Sequence, residues 1–214
     1  MIKNYNPIYW GPLFWNLLYQ IIINGNPNDS VERINNYNKI IDSIEHILPC
    51  NLCRYQTWFI INNKLSDSVG EYNEFIKWVY DLKFHINIKL EQDNISYHGF
   101  TAKLKTRSKF INIDDLWNLI FMITFSFDNT SHSIDKYITF MESIVFLLSP
   151  EYDDKFIVVM NDFLSIIKKN NNVDISKKLC EVYELYYGKG IDVNRLSLFE
   201  SNKSYCAINS IKLN

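Results

Sequence analysis

Leu48-Pro49-Cys50-Asn51-Leu52-Cys53-Arg54 is a Cys-x-x-Cys preceded by proline, and it lies between two helix-period patterns, Val31 to Leu48 and Tyr55 to Asn63. Proline suits the first position of a helix, where its missing N–H costs nothing. This predicts Cys50 and Cys53 in a helix's first turn, among N–H groups without intrahelical acceptors and at the positive end of the dipole. Such a place favours thiolate and lowers a cysteine's pKa. Three chemistries share the pattern: a redox pair, half of a zinc site, or two inert core cysteines. Zinc asks for a second Cys/His pair at similar spacing, and Cys180 and Cys206 do not form one. The redox reading therefore leads.

The bulk composition narrows the class. The chain has 214 residues, of which 47% are hydrophobic, enough for one large domain or two small ones. A net charge of −2 and a pI near 6.1 argue against nucleic-acid binding, which asks for a basic face. Four cysteines in this length make no disulfide scaffold. Met1 to Pro7 has no apolar signal core, and no apolar run approaches the roughly 18 residues that span a membrane. The expectation is a soluble protein without signal peptide or transmembrane segment. In a cytosol, a Cys-x-x-Cys is more often catalytic than structural.

Working outward from the motif, the chain reads as helices. Leu13, Phe14, Leu17, Leu18, Ile21 and Ile22 recur at helical spacing between Gly11 and Asn24. Asn24-Gly25-Asn26-Pro27 ends that helix, and Asp29 or Ser30 can cap the next. Val31, Ile34, Tyr37, Ile40, Ile41, Ile44, Ile47 and Leu48 form its apolar stripe. A short third helix carries the cysteines. A fourth runs from Glu71 to Glu91, with Phe75, Trp78, Val79, Leu82, Ile86 and Leu90 inward. Ser96 caps a short fifth through Leu104. The fold class is all-α: a four-helix bundle plus a short fifth helix. Lys103 to Lys109 reads as a basic linker of solvated surface.

Beyond the linker the pattern returns. Trp15-Asn16-Leu17-Leu18 is echoed by Trp117-Asn118-Leu119-Ile120, Tyr37 to Leu48 by Tyr137 to Leu148, and Val79-Tyr80-Asp81-Leu82 by Val182-Tyr183-Glu184-Leu185. Order and spacing hold across three helices. Pro150 and Asp153 stand where the first copy has Cys50 and Cys53. Two domains are expected: residues 8–104, and a second helical bundle over residues 110–200 that is a degenerate repeat without the chemistry.

Taken together, Gly11-x-x-x-Trp15-x-x-x-Tyr19, Pro49-Cys50-x-x-Cys53 and Lys83-Phe84-His85-Ile86-Asn87 followed by Lys89-Leu90 resemble the Erv/ALR family of FAD-linked sulfhydryl oxidases, in particular its viral branch. The family has histidine where this chain has Tyr19 and Lys83, and asparagine where it has Phe84. The resemblance covers residues 8 to 104, and the second half is similar to the pseudo-Erv module of larger members. It implies FAD as cofactor, protein dithiols as substrates, a thioredoxin-like carrier among the candidates, and O2 reduced to hydrogen peroxide. Cys50 would be the outer sulfur that meets substrate, and Cys53 the inner one beside the isoalloxazine. Gly11, Trp15, Tyr19, Lys83, Ile86, Asn87, Lys89 and Leu90 would hold the cofactor: Trp15 packs on the flavin, Tyr19 stacks on or hydrogen-bonds adenine, and Lys83 meets phosphate or ribose oxygens. A homodimer is one assembly the family suggests. A viral member would work in host cytoplasm or virion.

Blander readings stand beside these. Trp15, Trp78 and Trp117 lie on apolar faces and read as core without the resemblance. The four histidines show no ligand spacing, so no metal is expected. Cys180 reads as a small buried hydrophobe, and Cys206 as a lone tail thiol without a resolving partner. The alternative to an oxidase is a flavin-free Erv-like interaction protein that keeps a thiol–disulfide exchange pair. A thioredoxin-type reductase would need strand–helix alternation around the motif, which is missing.

Overall fold

The computed structural model describes residues 6–108, 112–127, 131–149, 153–169 and 173–189; the side chains of 131–133 are not among those described. Every regular element in these residues is a helix: α1 (Pro7–Ile23), α2 (Val31–Ile47), α3 (Asn51–Lys64), α4 (Tyr72–Lys89), α5 (Tyr97–Lys105), α6 (Ile113–Ser126), α7 (Ser131–Leu148), α8 (Asp154–Lys169) and α9 (Ile175–Tyr187). The all-α expectation is met. Among the described residues no helix is long and apolar enough to cross a membrane. Pro150 and Cys206 lie outside the described residues.

Polar residues start the helices. Asn6, Ser30, Ser96, Asn112 and Asp174 each accept a first-turn N–H through the side chain, satisfying one of the orphan donors. Asn6 with Pro7 at the first position starts α1 one turn earlier than Gly11, where the apolar pattern begins. Ile8 and Tyr9 in that added turn are exposed, so periodicity gives no sign of it. Pro12 sits inside the helix, past its first turn, and cannot donate the usual bond to the Ile8 carbonyl. Gly188, at φ 69°, ends α9 in the left-handed conformation that glycine adopts without strain.

The stripe of α2 is the spine of the core. Tyr37, Ile40, Ile44 and Ile47 are fully buried, and Tyr37 stacks on Phe75 of α4 at 4.2 Å and 7°. Its hydroxyl donates to Asp29 at 2.5 Å and accepts from Arg33 at 3.1 Å. Gly25, in the α1–α2 turn, is required by contact. A Cβ there would meet the Tyr37 hydroxyl and the Tyr72 ring, both at 2.6 Å. Gly25→Ala is expected to cost about 1–3 kcal/mol through this overpacking, read as a lower melting temperature.

α2 packs along α7 more extensively than any other helix pair, and α1 touches α6 and α7. Polar ties cross the same seam. Arg33 donates to the Leu147 carbonyl at 3.2 Å, and Lys136 pairs with Asp42 at 2.5 Å. Asp42 is exposed, so that ion pair contributes little. The apolar burial along α2 and α7 is what holds the halves together.

Candidate redox turn and cofactor cleft

α2 ends where Leu48 turns extended (φ −57°, ψ 137°), because a residue before proline is kept out of the helical region. Cys50 follows at φ −143°, ψ 122° as the N-cap of α3, and its Sγ accepts the Cys53 N–H at 3.3 Å. This shifts the sequence reading by one step. Pro49 precedes the cap instead of opening the helix, and only Cys53 lies within the first turn. The reason is local: sulfur at the cap takes the role that serine or aspartate usually plays. Sγ of Cys50 thereby sits against the exposed N–H end of α3, the electrostatic setting expected for a thiolate.

Burial orders the two cysteines. Cys50 is 1% exposed and Cys53 is half-buried. The residue assigned as the outer sulfur is therefore the more enclosed one in this conformation, drawn inward by capping its own helix. The same helix presents aromatics to solvent: Tyr55 and Trp58 stack at 5.9 Å and are both exposed. The helix runs to Lys64, one residue past the expected pattern, because Thr57, Ile60 and Ile61 bury a continuing stripe.

A cleft of about 310 Å³ opens between α1, α4, α5 and the segment joining α4 to α5. Tyr19, Lys83 and Asn87 line it, as do Tyr80, Phe84, Phe100, Lys103 and Arg107. Lys83 Nζ lies 4.6 Å above the Trp15 ring, and the Arg107 guanidinium lies 4.6 Å above Tyr19. Trp15 and Tyr19 stack along one face of α1 at 6.3 Å, joining the two cation–ring pairs. Burial pushes the Tyr19 hydroxyl up to about 12, with the Arg107 charge opposing. Burial also lowers the Lys83 pKa, and repulsion from Arg107 adds to it. Lys83, Lys103 and Arg107 line this cleft with only Asp93 as a carboxylate among the lining residues. That repulsion is a cost which a bound anion would relieve.

The other proposed cofactor residues fall at different depths. Asn87 is buried and donates to the Asn94 side chain at 3.1 Å, bracing the loop after α4. Ile86 is half-buried against the core. Gly11 is half-buried, and a Cβ there meets nothing within 4 Å. Lys89 lies outside the cleft lining, with its Nζ 5.0 Å above Phe59 of α3, and Leu90 is exposed beyond the helix end. Lys103 and Arg107 are exposed, as the reading of their segment as solvated surface expects, and both also line the cleft. The sequence shows that Phe100 and Leu104 make α5 amphipathic, but not which neighbour its basic flank and the following Arg107 face.

Residues 12–109 match the family model described as Erv1 / Alr family. No curated protein and no solved structure matches the chain. The Erv1 / Alr match runs from the first turns of α1 past the end of α5, so the redox turn and the cleft both lie inside it. Thiol oxidation is the activity this family generally carries, and it agrees with an N-capping Cys50 beside Cys53. α6 to α9 lie beyond the matched residues.

In the second half, Trp117 is fully buried, ringed by Phe121, Phe156, Tyr183 and Tyr186 at 5.3–6.1 Å between centroids. Trp78, fully enclosed in the first half, donates to the Ser66 carbonyl at 3.0 Å, as a core tryptophan does. Cys180 packs half-buried against the core, and burial followed by the Glu184 and Asp174 charges pushes its thiol pKa up. That environment disfavours reactive thiolate.

Proposed function

We propose that this protein is an FAD-linked thiol oxidase that forms disulfides in protein substrates and passes the electrons to O2. The observation that carries the reading is Cys50 capping α3 beside Cys53, within the stretch that matches the Erv1 / Alr family. A substrate dithiol exchanges with the Cys50–Cys53 disulfide: thiolate attacks sulfur, a mixed disulfide forms, and a second thiolate releases it. In this assignment Cys50 takes the substrate and Cys53 stands on the cofactor side. Cys50 is enclosed, so exchange there requires the Pro49–Cys50 turn to swing outward.

The cleft fits the adenosine and diphosphate end of FAD in chemistry. Tyr19 and Phe100 offer aromatic faces, and Lys83, Lys103 and Arg107 offer charge to phosphate oxygens. Arg107 over Tyr19 and Lys83 over Trp15 supply cationic donors where the family has histidines. FAD, when bound, accepts an electron pair and returns electrons to O2, which sulfur does poorly. Lys83→Ala and Arg107→Ala are each expected to weaken FAD binding by roughly tenfold, the scale of one charged hydrogen bond. Melting should barely change for Arg107→Ala, whose side chain is exposed. Flavin content after gel filtration, read beside a melting curve, checks both.

The second half supports a further part of the reading, an internal duplication that lost its site. α1 to α4 begin at residues 7, 31, 51 and 72, and α6 to α9 at 113, 131, 154 and 175. Trp117 pairs with Tyr186 where Trp15 pairs with Lys83, so aromatic packing stands where the first half keeps a cationic cleft. α2 packs along α7 more extensively than along any other helix, which supports a role for the second half either in covering the first bundle or in replacing a second subunit. The experiment that tests the function is dithiothreitol-dependent oxygen uptake with peroxide formation by purified protein. A colourless, inactive protein that FAD does not restore would favour the flavin-free interaction protein instead.

A further inference from the structure

We propose that Arg54 is a positioning residue for the Cys50–Cys53 couple, tying the redox turn to the second helical half; this rests on the thiol-exchange reading above. The Arg54 N–H donates to the Cys50 carbonyl at 2.9 Å, closing the first turn of α3 onto its cap. The side chain then folds back across that turn. Its Nε donates to the Leu48 carbonyl at 2.6 Å, and a terminal nitrogen reaches the Ser126 carbonyl at 3.4 Å. Leu48 is the C-cap of α2 and Ser126 the last residue of α6, so both acceptors are helix-end carbonyls left without intrahelical donors.

A guanidinium suits this task because its fork serves two acceptors at once, and its charge complements two helix C-termini. Lysine, a point charge on a flexible stem, can serve only one well. The fork spans from the residue after Cys53 to the residue before Pro49, so it fixes the backbone on both sides of the couple. It also holds a positive charge at the Leu48 carbonyl, two residues before Cys50, on a half-buried side chain beside a buried cysteine. Arg54 thereby stabilises the reduced, thiolate-bearing state, and a stabilised reduced state makes a couple more oxidising. The second half, which lacks the Cys-x-x-Cys, contributes to redox poise through the Ser126 carbonyl.

The test equilibrates the full-length chain anaerobically with mixtures of reduced and oxidised glutathione. Cys50 and Cys53 give up two electrons and two protons as their disulfide forms, and oxidised glutathione takes them to become two thiols. Acid quenching, alkylation and mass analysis of the peptide then give the fraction oxidised, without flavin or oxygen. Arg54→Gln is expected to favour the disulfide by about tenfold, the effect of removing one nearby opposite charge. Arg54→Lys keeps the charge and loses the bridge, so it falls between wild type and Arg54→Gln; it carries the test alone if the glutamine variant does not fold. Lys136→Ala, which breaks a surface ion pair on the same seam, should match wild type. Wild-type values in the Arg54 variants, or an equal shift in Lys136→Ala, overturn the proposal while leaving the oxidase reading intact. A wild-type chain that forms no Cys50–Cys53 disulfide in any mixture overturns both.

Discussion

Cys53→Ala should give a yellow, folded protein whose dithiothreitol-dependent oxygen uptake falls to the uncatalysed background. Removing this sulfur leaves Cys50 as a lone thiol, so there is no disulfide for a substrate thiolate to attack and no sulfur to pass the electron pair on. Cys50→Ala should fall equally far, and its loss of the cap bond to the Cys53 N–H should also lower stability by about 0.5–2 kcal/mol, the usual cost of losing an N-cap. Cys180→Ala should keep most of the activity, because that thiol is held in an environment unfavourable to thiolate. Oxygen-electrode traces on the three variants, with flavin content measured in each, decide the matter. Wild-type turnover in Cys53→Ala would show that the electrons take another route.

Trp117→Ala should be the most destabilising single change in the second half. The ring is fully enclosed, and four aromatic neighbours converge on it. Replacing it with alanine leaves a cavity that costs about 3–5 kcal/mol, against a total stability of about 5–15 kcal/mol for a typical protein. Its Nε1 is buried without a hydrogen-bond partner among the described residues, so Trp117→Phe should cost much less than alanine, since it keeps a ring and removes that unmet donor. Trp15→Ala makes the useful contrast. That ring is only half-buried and carries Lys83 on its face, so the variant should lose flavin colour with a smaller loss of stability. Chemical denaturation of the three variants gives the free energies. A Trp15→Ala chain less stable than Trp117→Ala would reverse the roles given to the two rings.

The helices were legible because their apolar stripes are long and their caps are explicit, as Ser30 and Ser96 illustrate. The start of α1 was not, since Ile8 and Tyr9 in its first turn face solvent and break no pattern. The turn that carries Cys50 and Cys53 was legible to within one residue. What hid the register is that cysteine itself caps α3, a role that sequence reading assigns to serine, threonine, aspartate and asparagine. Tyr19, Lys83 and Asn87 lie on α1 and α4 at helical spacings, and the structure brings all three to one cleft. Arg107 and Lys103 were missed because a charge run carries no direction until α5 is packed. Arg54 was missed for a related reason. Its acceptors, Leu48 and Ser126, are backbone carbonyls, and carbonyls leave no trace in residue identity.

The central claim is that an electron pair passes from substrate thiols through Cys50 and Cys53 to bound FAD. The most direct measurement is the visible spectrum of the purified full-length protein, taken anaerobically before and after dithiothreitol. The account predicts flavin absorbance near one equivalent per chain, bleaching with dithiothreitol in wild type, no bleaching in Cys53→Ala, and return of the colour when air is admitted. A protein that stays colourless after incubation with FAD, or one whose flavin bleaches equally well without Cys53, would contradict it.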